Sequence, residues 1–95
     1  MAIAVREIHP LRGRERRLGD GILIGRGPAC DVQLDDPLVS RRHARVLGSA
    51  VGTGIEDLGS SNGIYVNGRR RRGVTALHPG DVIQLGGTMW IVLAG

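Results

Sequence analysis

Three short segments of this 95-residue chain collect side chains suited to holding a phosphate group. Gly25-Arg26, Val39-Ser40-Arg41-Arg42-His43-Ala44 and Ser61-Asn62-Gly63 together supply three arginines, two hydroxyls and a carboxamide. Arginine presents a planar fork of donors that matches phosphate oxygens. Hydroxyls and amides on rigid turns add orientation without adding charge. No nucleophile in the set is activated: Ser40 and His43 lack an acid to orient the ring and lack an oxyanion-hole motif. The histidines His9, His43 and His78 stand apart without metal-ligand spacing, so neither a metal nor a cofactor is expected. The set reads as a phosphate reader rather than a phosphate-cleaving site, and not as an enzyme.

Short strands must position these residues. Ala2–Ile8 alternates apolar positions and is followed by a turn over His9–Gly13; Arg14–Leu18 is the next strand, turned at Gly19-Asp20-Gly21. Ile22–Gly25 and Val32–Leu34 are short apolar strands flanking a loop at Gly27–Asp31, and Asp35-Asp36-Pro37 is a break. Ala44–Leu47 pairs with Gly54–Asp57 around a glycine-rich stretch. Asn67-Gly68 is a tight primed turn joining Ile64–Val66 to Arg69–Arg71, and Gly86-Gly87 joins Val82–Leu85 to Met89–Leu93. Sixteen glycines and four prolines leave no window for an amphipathic helix. Strands recurring at roughly 8 to 12 residues predict an all-β, two-sheet sandwich of about 11 short strands.

The ordered string GR, SRRHA, DLGSSNG, NG and LHPGDVIQLG resembles the forkhead-associated (FHA) domain family, bacterial type, with a motif core over about 22–93 of a single domain spanning 1–95. The resemblance implies a β-sandwich with its recognition loops at one end and a non-catalytic, phosphothreonine-peptide-binding function in bacterial signalling. It assigns phosphate contact to Arg26, Ser40 and Ser61, to Arg41 by register, and in some members to the next arginine, here Arg42. Ser40 can also offer its backbone amide. Asn62 is implied to hold the peptide main chain. His43 is implied to brace the recognition loop, with Gly25, Gly63, Asn67 and Gly68 as backbone supports. A pocket for the threonine γ-methyl is expected near Ser61–Ile64. Some members carry a basic residue near position 38 that reads an acidic ligand side chain; Leu38 argues instead for an apolar or loose preference there.

Composition narrows the partners. Thirteen arginines and no lysine give a net charge of +4, which favours acidic partners by electrostatic steering. Arg69–Arg72 invites a nucleic-acid reading, but Tyr65 and Trp90 are the only aromatics and none interleaves with the run to stack bases. The run reads better as a solvated edge strand that discourages edge pairing. A single cysteine, Cys30, fits a reducing compartment, and neither a signal-peptide core nor a long apolar run is present, so a cytoplasmic protein without membrane insertion is expected. Only Thr53, Thr75 and Thr88 occur, all inside the domain, which points to a phosphothreonine protein or peptide bound in trans, or one carried by a longer parent chain. The resemblance implies an upstream serine/threonine kinase.

Overall fold

The computed structural model describes residues 2–10 and 13–94, of which eleven strands make up the regular structure, with no helix among the described residues. In chain order these are β1 (Ala2–His9), β2 (Glu15–Gly19), β3 (Leu23–Gly25), β4 (Val32–Gln33), β5 (Ala44–Ser49), β6 (Gly52–Asp57), β7 (Ile64–Val66), β8 (Arg69–Arg71), β9 (Val74–Leu77), β10 (Val82–Leu85) and β11 (Thr88–Ala94). One sheet runs β2-β1-β11-β10-β7-β8 and the other β4-β3-β5-β6-β9. The expected all-β, two-sheet sandwich is the architecture found. The predicted turn over His9–Gly13 includes Leu11 and Arg12, which lie outside the described residues.

Period-two alternation builds the core. Ile3 and Val5 of β1, Trp90 and Val92 of β11, Ile83 and Leu85 of β10, and Ile64 and Val66 of β7 face inward and are 3% exposed or less. From the other sheet, Ile24, Ala44, Val46 and Ile55 meet them. A core of aliphatic residues and one indole fits a chain with few aromatics, because branched side chains pack well on a pleated surface.

Two departures from the sequence reading have local causes. β9 was not among the strands predicted from sequence. Only Leu77 of its four residues is buried, so it carries almost no periodic signal; backbone pairing to β6, with Thr53 opposite Leu77 and Glu56 opposite Val74, defines it. The glycine-rich stretch is also more regular than expected. β5 and β6 continue to Ser49 opposite Gly52 and turn through Ala50 and Val51 alone.

The Asn67-Gly68 turn is held from both sides. Both residues have positive φ, 53° and 80°, as a primed turn requires. Asn67 donates its side-chain amide to Asp81 Oδ1 at 2.9 Å and accepts from the Val82 N–H at 2.9 Å. Asp81 Oδ2 accepts from the His78 N–H at 2.8 Å. Burial opposes ionisation of Asp81, yet the Asn67 amide, the His78 N–H and the positive charges of His78 and Arg71 outweigh it and hold its carboxyl below the usual carboxylate range. A carboxylate whose pKa is lower folded than unfolded stabilises the fold above its unfolded pKa and loses that contribution as pH falls through the folded value. Asp81→Asn is therefore expected to be less stable than wild type at neutral pH, with the gap closing as pH drops below about 4. Urea denaturation midpoints measured across that range test it.

Candidate functional site

The three motif segments lie in the loops β3–β4, β4–β5 and β6–β7, and backbone contacts fasten the first two together. The Arg26 N–H donates to Ser40 O at 2.9 Å, and the Gly27 N–H to Arg41 O at 3.0 Å. The Cys30 thiol donates to that same Arg41 carbonyl at 3.0 Å. Gly25 makes this approach possible. A Cβ at Gly25 would fall on the Arg41 carbonyl oxygen, 2.8 Å from its carbon and 2.9 Å from Cys30 Sγ. Since Gly25 has no positive φ, its requirement is space rather than conformation.

His43 joins the second loop to the third. Its ring is fully buried. Nδ1 accepts from the Ser40 N–H at 3.0 Å, so the ring proton sits on Nε2, which donates to Gly63 O at 2.7 Å. Its backbone takes part as well: His43 N–H donates to Ile24 O, and His43 O accepts from the Leu58 N–H. The third loop is wound on its own polar groups. The Ser60 N–H donates to Asp57 Oδ1, and the Gly63 N–H to Ser60 Oγ, both at 2.9 Å. Gly63 carries a φ of 79°, a left-handed conformation that a residue with a Cβ adopts at a cost.

What remains unengaged defines the chemistry. Ser40 Oγ accepts from the Ser61 N–H at 3.1 Å, which leaves its own hydrogen to be donated outward. The Ser40 backbone amide is committed to His43, so the reading that it could also serve phosphate does not fit this geometry. Arg26 donates Nε to Val39 O at 3.0 Å, while its carbonyl accepts from Gln33. One edge of its guanidinium is thus fixed, and its terminal amino groups form no hydrogen bond or ion pair among the described residues. Arg41 and Arg42 are both exposed, and neither forms an ion pair among the described residues. Asn62 donates to Leu38 O at 2.7 Å, leaving its carbonyl oxygen as an acceptor. Ile64 belongs to the core and offers no open surface for a methyl group, whereas Ser61 and Asn62 are exposed.

Two residues to which the sequence gives no part in the site complete the scaffold. Asp36, read only as part of a break, accepts from the Leu38 N–H at 2.9 Å, the Gly87 N–H at 2.8 Å and Thr88 Oγ1 at 3.0 Å. It anchors the second loop to the β10–β11 turn. An aspartate beside Pro37 signals a turn, but partners 51 and 52 positions away leave no trace in local sequence. The other is Arg70, whose side chain lies over Gly63. Among the described residues no set of histidines, cysteines and carboxylates is grouped to hold a metal ion.

Deleting the His43 ring strands a half-buried N–H and a buried carbonyl. His43→Ala should lower unfolding free energy by about 2–4 kcal/mol and speed amide exchange at Ser40 and Ser61. Exchange as slow as in wild type would show that the loops are ordered without it. Gly25→Ala should cost about 1–3 kcal/mol by forcing the Arg41 backbone outward, visible as a lowered denaturation midpoint.

Comparison with known proteins establishes the family. The FHA domain profile matches residues 22–86. An oxoglutarate dehydrogenase inhibitor of Corynebacterium efficiens is 45% identical over 71 residues, covering 75% of this chain and 49% of the relative. The glycogen accumulation regulator GarA of Mycolicibacterium smegmatis is 41% identical over 71 residues, covering 75% of this chain and 44% of the relative. The chain thus spans about half the length of the curated relatives it matches. A solved FHA domain studied for phosphothreonine-dependent interactions superposes with a TM-score of 0.88 at 32% identity, covering 100% of this chain and 98% of that one. Mycobacterium tuberculosis EmbR, solved with a low-affinity phosphopeptide, superposes with a TM-score of 0.89 at 33% identity, covering 100% of this chain and 26% of that one. With the sandwich, the loop order and the profile match in agreement, the chain belongs to the FHA domain family.

Proposed function

We propose that this chain is a non-catalytic module that binds phosphothreonine peptides and mediates kinase-dependent protein–protein interaction in bacterial signalling. The observation that carries the reading is the Ser40 hydroxyl, held by the Ser61 N–H as an acceptor and left with its hydrogen to donate, beside the braced guanidinium of Arg26. A dianionic phosphate carries about −1.5 to −2 charges near neutral pH and accepts several donors at once. Arg26, Ser40 and Ser61 would hold it, with Arg41 or Arg42 closing over it. Asn62 would accept from the main-chain N–H of an extended peptide through its free carbonyl oxygen.

No step of chemistry is needed in this reading. The hydroxyl of Ser40 has no base beside it, because the nearby ring of His43 spends Nδ1 on a backbone amide and Nε2 on a carbonyl. The relatives are named as regulators of an enzyme and of a storage polymer. By analogy the whole protein would bind a phosphothreonine-bearing partner in trans, downstream of a serine/threonine kinase and in the cytoplasm. No helix of the described residues is long and apolar enough to cross a membrane.

A fluorescence-anisotropy titration with degenerate phosphothreonine, phosphoserine and unphosphorylated peptide pools tests the reading. The phosphothreonine pool alone should bind, with dissociation constants in the micromolar range, about −8 kcal/mol, and more weakly as salt rises. Arg26→Ala removes a charge-assisted contact and should weaken binding about tenfold to a hundredfold. Equal binding of phosphorylated and unphosphorylated pools by the folded protein would overturn it.

A further inference from the structure

The four consecutive arginines at 69–72 are not equivalent. Strand alternation places Arg69 and Arg71 opposite the buried residues Val66 and Ile64, and Arg70 opposite Tyr65 on the outer face of the six-stranded sheet. All four are exposed, as a solvated edge strand requires. Arg70, however, does not simply extend into water. Its side chain crosses Gly63, so closely that a Cβ on that glycine would stand 2.5 Å from Arg70 Nε and 2.9 Å from Cζ. Gly63 directly follows Asn62 and supplies the carbonyl that holds His43. A member of the arginine run is thereby laid against the third recognition loop.

Its charge is unspent. Arg6 and Arg45 pair with Glu15 and Glu56, and Arg26 is fixed by the Val39 carbonyl. Arg70 forms no hydrogen bond or ion pair among the described residues. Beside it lies a depression of about 400 Å³ bounded by Leu38, Asn62, Tyr65, Gly68, Gln84 and Gly86. Tyr65, which bounds the depression, stands directly across from Arg70 on one side and Gln84 on the other, so the arginine lies next to its wall. No acidic residue lines it, and nothing there repels a carboxylate. A guanidinium already confined by contact with a rigid loop has less freedom to lose when it pairs with a ligand.

We propose that Arg70 is a specificity-determining residue that selects an acidic side chain in the segment flanking the phosphothreonine; this rests on the phosphopeptide reading above. An extended peptide held at Asn62 enters the depression with Arg70 at its border. Leu38 contributes an apolar wall there, so the acidic preference belongs to the Arg70 side of the groove.

The test is an anisotropy series of phosphothreonine peptides with a single aspartate, or asparagine in its place, at each of the three positions on either side of the phosphothreonine. Wild type should bind at least one aspartate peptide about three- to fivefold more tightly than its asparagine counterpart. Arg70→Gln should bind the asparagine peptides as wild type does and lose that preference. Arg70→Glu should reverse it, binding a lysine peptide in preference to the aspartate one. Equal aspartate-to-asparagine ratios in wild type and Arg70→Gln would overturn the role of Arg70 while leaving phosphothreonine binding intact. Failure of wild type to bind any peptide of the series would overturn both readings.

Discussion

A single buried imidazole holds the binding face together. His43 has no exposed surface, and each ring nitrogen is spent on a backbone group of a different loop: Nδ1 on the Ser40 N–H, Nε2 on the Gly63 carbonyl. Without it the third loop would bury an unsatisfied Gly63 carbonyl and the second would leave the half-buried Ser40 N–H without its partner, and an unmet buried group costs more than the net gain of an ordinary hydrogen bond. The bridge also sets the distance between Ser40 and Ser61, whose own contact at 3.1 Å depends on the loops staying in register. Recognition of an anion by hydroxyls and guanidiniums works only where donors are already placed, because a flexible loop would have to be ordered when it binds.

Around this bridge the fold keeps positioning and binding separate. Groups that position are turned inward: Asp36 onto the Leu38 and Gly87 N–H groups and the Thr88 hydroxyl, Asp57 onto the Ser60 N–H, and Cys30 onto the Arg41 carbonyl. The groups proposed to bind are left facing water. Asp36 and Asp57 are therefore occupied with N–H and O–H donors, and the exposed Arg41 and Arg42 form no ion pair among the described residues. Paired arginines lie elsewhere, on β1 and β5, where they brace neighbouring strands.

The two sheets contribute unequally to the site. The five-stranded sheet carries the ends from which the loops proposed to bind phosphate spring, since β3 leads into Arg26 and β5 begins just after His43. From the six-stranded sheet, the β10–β11 turn accepts the anchor from Asp36, while the β7–β8 hairpin carries Arg70 to the rim of the third loop. A rigid sandwich suits this division. Its core is branched aliphatic side chains and one indole, packed so that loop ends arrive at fixed positions.

Local sequence was enough to determine the class of fold and the side-chain chemistry of the candidate site. Alternation in β1, β7, β10 and β11, glycine turns and the absence of a helical period point to a sandwich, since strand periodicity is a property of neighbours in sequence. Arg26, Ser40, Ser61 and Asn62 stand out as candidates for a similar reason: their chemistry is in the side chains. The tertiary structure decided what depends on distant partners. It showed why position 25 must be glycine, through a carbonyl sixteen residues later at Arg41. It committed the Ser40 amide to His43, gave Asp36 its partners across the sandwich, and defined β9 by pairing rather than by pattern. It also separated Arg70 from an otherwise uniform run, because only the register of β8 against β7 says which arginine faces Tyr65 and reaches Gly63. Residue types and their periods are written along the chain, whereas register and close approach exist only once the two sheets have closed on one another.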